Sequence, residues 1–382
     1  MSGAKVHIDG THRVRPPEQT WDLVRPLLPR FGVTRVADVT GLDVLGVPVA
    51  MAVRPLATTL SVSQGKGATQ LLATVSAAME AIELWHAEIA PTTLAARATP
   101  SADLDLPYSV RSLDQHLGSL FTPRTRTDWV LGSGLRTGRP TPLPLESVHL
   151  IEQGWRPLGL RVSTNGLASG NSAAEAALHA LYELIERDAL GDEPVENRGT
   201  AVDPATVDDP LCAELIGRVL DAGAFLEIRE LAAAAGVPCF ACRVWSADFP
   251  VAATGSGAHS APGVALSRAV TEAAQSRLTA ITGSRDDLAP VYAGMREDVP
   301  TSPRPPAEPA PWSGRRAPGM PEFDRIDDEL AWLAEVVTRR TGAEPIVVDL
   351  SSRPEFAVVR VVAPGLTFLD GADREEHRHA IR

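Results

Sequence analysis

Lysine is almost missing from this chain: among 36 basic residues, only Lys5 and Lys66 are lysines. Cysteine is scarce as well, at three residues, and aromatic residues make up 5 % of the 382 positions. These shortages exclude whole classes of function. With 48 acidic residues against 36 basic ones, the formal charge is −12, which argues against nonspecific binding to nucleic acid or to an anionic membrane. No apolar run approaches the length of about eighteen residues that a membrane span requires. The first residues, Met1-Ser-Gly-Ala-Lys-Val-His-Ile-Asp9, lack the apolar core of a signal peptide, so the expected location is the cytoplasm. Cys212, Cys239 and Cys242 cannot form a disulfide framework. The C-x-x-C pair lies in a segment, Val237–Trp245, that reads as a strand. Its two thiols therefore point to opposite faces, and no second pair completes a zinc site. A P-loop is absent, because Gly65-Lys66-Gly67-Ala-Thr69 has no glycine at the required upstream distance and Gly67 separates the lysine from the hydroxyl. No spacing supports a Ser-His-Asp arrangement. His86 and His179 lie in helical segments, where packing is the ordinary fate of a lone histidine.

What the chain does have is glutamate in unusual places. Ala77-Ala-Met-Glu-Ala-Ile-Glu-Leu-Trp-His86 and Asn171-Ser-Ala-Ala-Glu-Ala-Ala-Leu-His-Ala-Leu-Tyr-Glu-Leu-Ile-Glu-Arg187 both read as Ala- and Leu-rich helices. Glu80 and Glu83 project from one helix face, roughly 60° apart. Glu175, Glu183 and Glu186 fall within an arc of about 80° on theirs. Charged helix faces are usually just solvated, but the surroundings here argue otherwise. Ser61–Thr69 precedes the first helix as a turn whose glycines let backbone approach a ligand. Ser163–Asn171 precedes the second and ends in a good N-cap. Carboxylates gathered on two such faces need cations, and hard ions such as Mg²⁺ share oxygen ligands with phosphates.

With 44 % hydrophobic residues the chain can bury a sizeable core. The pattern predicts an α/β (α+β) fold with mixed rather than purely parallel sheet. Expected elements are a helix over 17–25, strands at 36–40 and 47–54, a helix over 204–222, and strands at 224–229 and 237–245. A glycine-rich loop at 253–259 and a helix over 264–284 follow. Proline dominates 300–321, which reads as a surface loop. A helix over 324–341 and strands at 345–350 and 356–362 precede a polar tail at 365–382 containing His377 and His379.

Three blocks in order carry a resemblance. Ser63-Gln-Gly-Lys-Gly-Ala-Thr69 leading to Met79-Glu-Ala-Ile-Glu83 resembles the first half of the YcaO family. Asn165-Gly-Leu-Ala-Ser-Gly-Asn171 leading to Glu175 and Glu183-Leu-Ile-Glu-Arg187 resembles its central motif. Glu272-Ala-Ala-Gln-Ser-Arg277, followed by Ile281-Thr-Gly-Ser-Arg-Asp-Asp287, resembles its third. The blocks cover about residues 10–290, and the resemblance implies one large YcaO-type domain over 1–382, with an ATP site formed between acidic helices. It implies ATP and Mg²⁺ as cofactors, phosphorylation of a peptide backbone amide oxygen, and attack by a nucleophile at the amide carbon. Carried over, Glu80, Glu83, Glu175, Glu183 and Glu186 would hold metal. Asn171, Glu175, Arg187, Gln275 and Arg277 would lie around the nucleotide, with Arg13, Thr20 and Lys66 as further nucleotide-binding candidates. The resemblance does not single out a catalytic acid or base. The substrate class it implies is a ribosomally made precursor peptide. Many azoline-forming members end in a proline-repeat tail, whereas this chain ends in Glu375-Glu-His-Arg-His-Ala-Ile-Arg382. The expectation therefore leans to thioamide formation, ahead of azoline or macroamidine formation, with a non-catalytic scaffold less favoured. Family-like residues begin near the start, so a separate leader-binding partner is expected, TfuA-like or E1-like. A homodimer is compatible with the resemblance.

Overall fold

The computed structural model describes residues 3–89, 93–116, 118–150, 159–191, 194–285, 303–314 and 319–368. His377, His379, Asp286, Asp287 and parts of the proline-rich segment and the tail lie outside these. In chain order, β1 (Val6–Ile8), β2 (Thr11–Arg13), α1 (Pro17–Val24), β3 (Arg35–Asp38), β4 (Val49–Val53) and β5 (Val62–Lys66) lead to α2 (Gln70–Ile89). Then come β6 (Leu94–Pro100), β7 (Arg126–Gly134), β8 (Pro140–Pro144), β9 (Leu167–Gly170) and α3 (Ala173–Leu190). The third stretch holds β10 (Thr200–Val202), α4 (Pro210–Asp221), β11 (Phe225–Glu230), β12 (Cys239–Trp245), β13 (Ala253–Ala258) and α5 (Pro262–Thr282). The described chain closes with α6 (Ile326–Thr341), β14 (Ile346–Asp349) and β15 (Ala357–Val362).

These elements form two compact units. One comprises Met1–Lys5, Glu83–Asp192 and Phe323–Arg382, the other Val6–Ile82 and Glu193–Glu322. In the first, a sheet runs β6-β7-β14-β15-β9 with β8 added on β7, and α3 packs against β9, β15 and α6. In the second, sheet β10-β11-β12-β13 is lined by α4 and α5, while β3-β4-β5 forms a separate three-stranded sheet. Strand alternation selects the core here: Phe240, Cys242 and Val244 of β12 face Leu215, Val219, Leu266 and Val270 of the two helices. Val49 and Met51 of β4 meet Leu278 further along α5.

Helices and sheets are mixed as expected, but the sheets are more uniform than foreseen. Every pairing between described strands is antiparallel, and the isolated bridge Val202–Ala310 is parallel. The helix expected from 204 begins only at Pro210. Pro204 starts a single 3-10 turn, and the missing amide hydrogen of Pro210 suits a first helical position rather than an interior one. Asp209 caps that new start, accepting from the Cys212 amide at 3.0 Å. Strands β6, β7 and β8 were not anticipated; β8 is Pro-Thr-Pro-Leu-Pro144, a composition that hides an edge strand.

The first glycine-rich turn is mostly strand β5, and strand β9 takes up Leu167–Gly170 of the second. Gly65 in β5 faces α2 so closely that a Cβ there would sit 2.0 Å from the Ala77 nitrogen. Gly170 ends β9, and a Cβ on it would lie 2.7 Å from the Ala176 nitrogen of α3. These glycines permit strand-on-helix contact, a different task from the ligand approach expected of them. The segment at 253–259, expected as a loop, is likewise strand β13, lying against α5. All three cysteines are buried free thiols. Cys239 and Cys242 sit on opposite faces of β12, as the spacing predicts.

Candidate functional site

In the first unit, Ser172 caps α3 by accepting from the Glu175 amide at 3.2 Å. That start aims Glu175 back at the preceding turn. Its Oε1 accepts from both the backbone amide and the side-chain amide of Asn171, each at 3.0 Å, and the residue is 2 % exposed. Two turns later Glu183 Oε2 accepts from the Gly166 amide at 3.3 Å. Burial, with Glu186 on the next turn, pushes the Glu183 carboxyl up to about 7, against the pull of Arg187 and Arg360. Arg187 Nε lies 4.0 Å from Glu183 Oε1, and its side chain is 41 % exposed. Glu83, near the end of α2, accepts from the Ser169 amide at 2.9 Å and from the Ser169 hydroxyl. Thus Glu83, Glu175 and Glu183 are oriented by the segment Gly166–Asn171 that runs through β9. His86, on the same helix, bonds Ser352 at 2.7 Å and is fully buried, a packing role.

In the second unit, Glu80 of α2 is the matching case. Burial raises its carboxyl to about 7, while Arg285, Lys66 and the Gln64 backbone act in the opposite direction. Lys66 pairs with Glu272 of α5. Gln275 Nε2 lies 3.5 Å from the Gln64 carbonyl oxygen, and the Thr279 hydroxyl donates to Gln64 Oε1. Arg13 sits at the end of β2, paired in register with Val6. Thr20 is buried on α1 and donates to the Pro16 carbonyl at 3.3 Å.

Arg277 departs from expectation. It is 1 % exposed, and its Nε reaches both Asp43 carboxylate oxygens at 3.1 Å. Its Nη1 donates to the Phe249 carbonyl at 3.3 Å, and Asp248 lies 3.6 Å from Nη2. A guanidinium so enclosed anchors α5 and is not presented to a phosphate.

Several participants escaped sequence reasoning. Glu272 and Gln64 lay inside quoted blocks without being singled out. Ser169 has no side-chain pattern of its own. Arg360 had one readable signal, a lone arginine within Ala-Val-Val-Arg-Val-Val362.

Hard oxygen donors are what Mg²⁺ takes. The raised carboxyls at Glu80 and Glu183 mark places short of positive charge, which a bound cation would supply. Among the described residues, no three acidic, histidine or cysteine side chains are drawn together tightly enough to hold an ion as they stand. Glu83, Glu175 and Glu183 each turn to a local donor instead. The donor chemistry fits Mg²⁺.

Comparison with known proteins gives the family. Residues 64–367 match the family described as YcaO cyclodehydratase, ATP- and Mg²⁺-binding. An uncharacterized protein of Mycobacterium tuberculosis is 39 % identical over 374 residues, covering 94 % of this chain and 83 % of its own length. An uncharacterized protein in the tfuA 3′ region of Rhizobium leguminosarum bv. trifolii is 38 % identical over 378 residues, covering 93 % of this chain and 88 % of its own. Among solved structures, YcaO from Methanopyrus kandleri bound with AMPPCP and Mg²⁺ superposes with a TM-score of 0.72 at 23 % identity, covering 95 % of this chain and 94 % of that one. A heterocyclase in complex with substrate and cofactor gives a TM-score of 0.75 at 23 % identity, covering 96 % of this chain and 54 % of that one. The chain therefore belongs to the YcaO family of ATP- and Mg²⁺-binding, peptide-modifying enzymes.

Proposed function

We propose that this protein uses ATP to phosphorylate a backbone amide oxygen of a ribosomally made precursor peptide. A nucleophile then attacks the amide carbon, and the oxygen leaves within inorganic phosphate. The observation that carries the reading is the set of glutamates on α2 and α3, two of them with carboxyls raised to about 7 by burial. In this reading Glu80, Glu83, Glu175, Glu183 and Glu186 would hold Mg²⁺, which would neutralise negative charge on the phosphates. Asn171, Gln275, Arg187 and Lys66 face the nucleotide, Lys66 being poised by Glu272. Arginine suits such a task because its planar fork donates two hydrogen bonds and keeps its charge. Arg277 acts at a distance, fixing α5 through Asp43. Arg13 and Thr20 are nucleotide contacts of the looser kind.

The leading sub-reaction is thioamide formation, with a sulfide equivalent as nucleophile and a TfuA-like partner. It is favoured by the relative in the tfuA 3′ region. Azoline formation, with a Cys, Ser or Thr side chain as nucleophile, is the second reading, favoured by the family's cyclodehydratase description. No described helix is long and apolar enough to cross a membrane, and the need for ATP suits the cytoplasm. The deciding experiment is the intact mass of the precursor peptide after co-expression with this protein and its encoded neighbours. Replacement of one oxygen by sulfur supports the first reading, and loss of one water per site the second. Glu83→Gln and Glu186→Gln should abolish ATP turnover by the purified protein. Turnover retained in both variants would remove the metal-site assignment.

A further inference from the structure

Arg360 occupies the middle of an apolar strand and is 4 % exposed. That strand, β15, lies between β14 and β9, so it has no free edge. The guanidinium is spent on carbonyls: Nε donates to Ser147 O at 3.0 Å and Nη2 to Ser163 O at 2.8 Å. Nη1 is buried without a hydrogen-bond partner among the described residues. A full positive charge held this way, with no carboxylate in direct contact among those residues, is expensive to bury. The nearby acidic groups that attract it are Glu183 and Asp114.

What the fork grips is informative. Ser163 begins the turn that ends at Gly166, whose amide donates to Glu183 Oε2 at 3.3 Å. The Ser163 hydroxyl accepts from the Asn165 amide at 3.3 Å, and the Thr164 carbonyl from the Leu167 amide at 2.9 Å. At the far end of the turn, the Val361 amide donates to the Gly166 carbonyl at 2.8 Å. Two successive residues of β15 thus hold the turn at both ends, Arg360 by its side chain and Val361 by its backbone.

We propose that Arg360 is a positioning residue: by clamping the Ser163–Gly166 turn from inside the sheet, it sets the orientation of the Glu183 carboxylate for Mg²⁺. The inference rests on the reading of Glu183 as a metal ligand. Groups that orient a metal ligand ordinarily matter to affinity about 10- to 100-fold. Lysine would keep the charge but lose the planar fork that serves two carbonyls at once.

The test compares wild type with Arg360→Lys and Arg360→Met by calorimetric titration of Mg²⁺ with a non-hydrolysable ATP analogue, beside thermal unfolding. Tyr182→Phe is the stability control. It lies on the same α3, and its hydroxyl donates to the buried Glu329 at 2.6 Å. Arg360→Met should bind the Mg²⁺-analogue about tenfold or more weakly and Arg360→Lys by an intermediate factor, in line with other ligand-orienting groups. Tyr182→Phe should lower the melting temperature without changing affinity. Wild-type affinity in Arg360→Met overturns the proposal; if that variant does not fold, wild-type affinity in Arg360→Lys overturns it equally. A wild type that binds no Mg²⁺-analogue would instead sink the reading of the site itself, and this inference with it.

Discussion

Without metal, this protein should lose stability as pH rises from about 5 to about 8, and Glu183→Gln should reduce the loss. Glu183 rises from 4.5 to about 7 on folding because its carboxylate loses water. The folded state therefore holds the proton more tightly than the unfolded chain. The stabilisation is complete below the unfolded value of 4.5 and is lost as pH rises through about 7. A difference of about 2.5 units at 1.36 kcal/mol per unit gives a ceiling of about 3 kcal/mol. The Glu183 side chain retains 23 % of its surface in water, so solvent screening lowers the expected loss to about 2 kcal/mol. Glu80 follows the same sign, from 4.5 to about 7. Bound Mg²⁺ reverses the trend, because it takes the ionised carboxylate and its stabilisation grows as the proton leaves. The assay is urea unfolding at several pH values, with chelator and with Mg²⁺. With chelator at about pH 8, Glu183→Gln should be more stable than wild type by about 1–2 kcal/mol. With Mg²⁺ it should gain less than wild type. A wild type and variant with parallel pH profiles would refute the burial argument.

Gly65→Ala would place a methyl group 2.0 Å from the Ala77 nitrogen, and β5 would have to leave α2. A cost of about 3 kcal/mol or more is expected, read as a lowered melting temperature or loss of soluble protein. Arg277→Met leaves Asp43 charged with its side chain 4 % exposed. That should cost about 3–5 kcal/mol in denaturant unfolding. An Arg277→Met variant as stable as wild type would contradict the anchoring role.

The acidic helices were legible because their information is local. Glutamate at helical spacing places Glu80 with Glu83, and Glu175 with Glu183 and Glu186, on single faces whatever the rest of the chain does. The core strands at Phe225–Glu230 and Cys239–Trp245 were legible for the same reason, as short apolar runs that are buried for most of their length. Strands β5, β9 and β13 were not. Their Gly, Ser and Ala content reads as turn, and only contact with α2, α3 and α5 makes small residues the right ones for a strand.

Arg277 shows the limit most clearly. Its place in the third block suggested a phosphate contact, but the acid that claims it, Asp43, stands 234 positions away in sequence. Arg360 likewise gained its meaning from Ser147 and Ser163, at 213 and 197 positions' separation. By itself the sequence determined which helices carry the carboxylates, the kind of ion they suit and the family to which the chain belongs. The tertiary structure alone decided which of the charged groups are tied inside the protein and which carboxyls are held near neutral pH. The physical reason is that helical spacing is set by neighbouring residues, whereas burial and charge pairing are set by segments that meet only when the chain has folded.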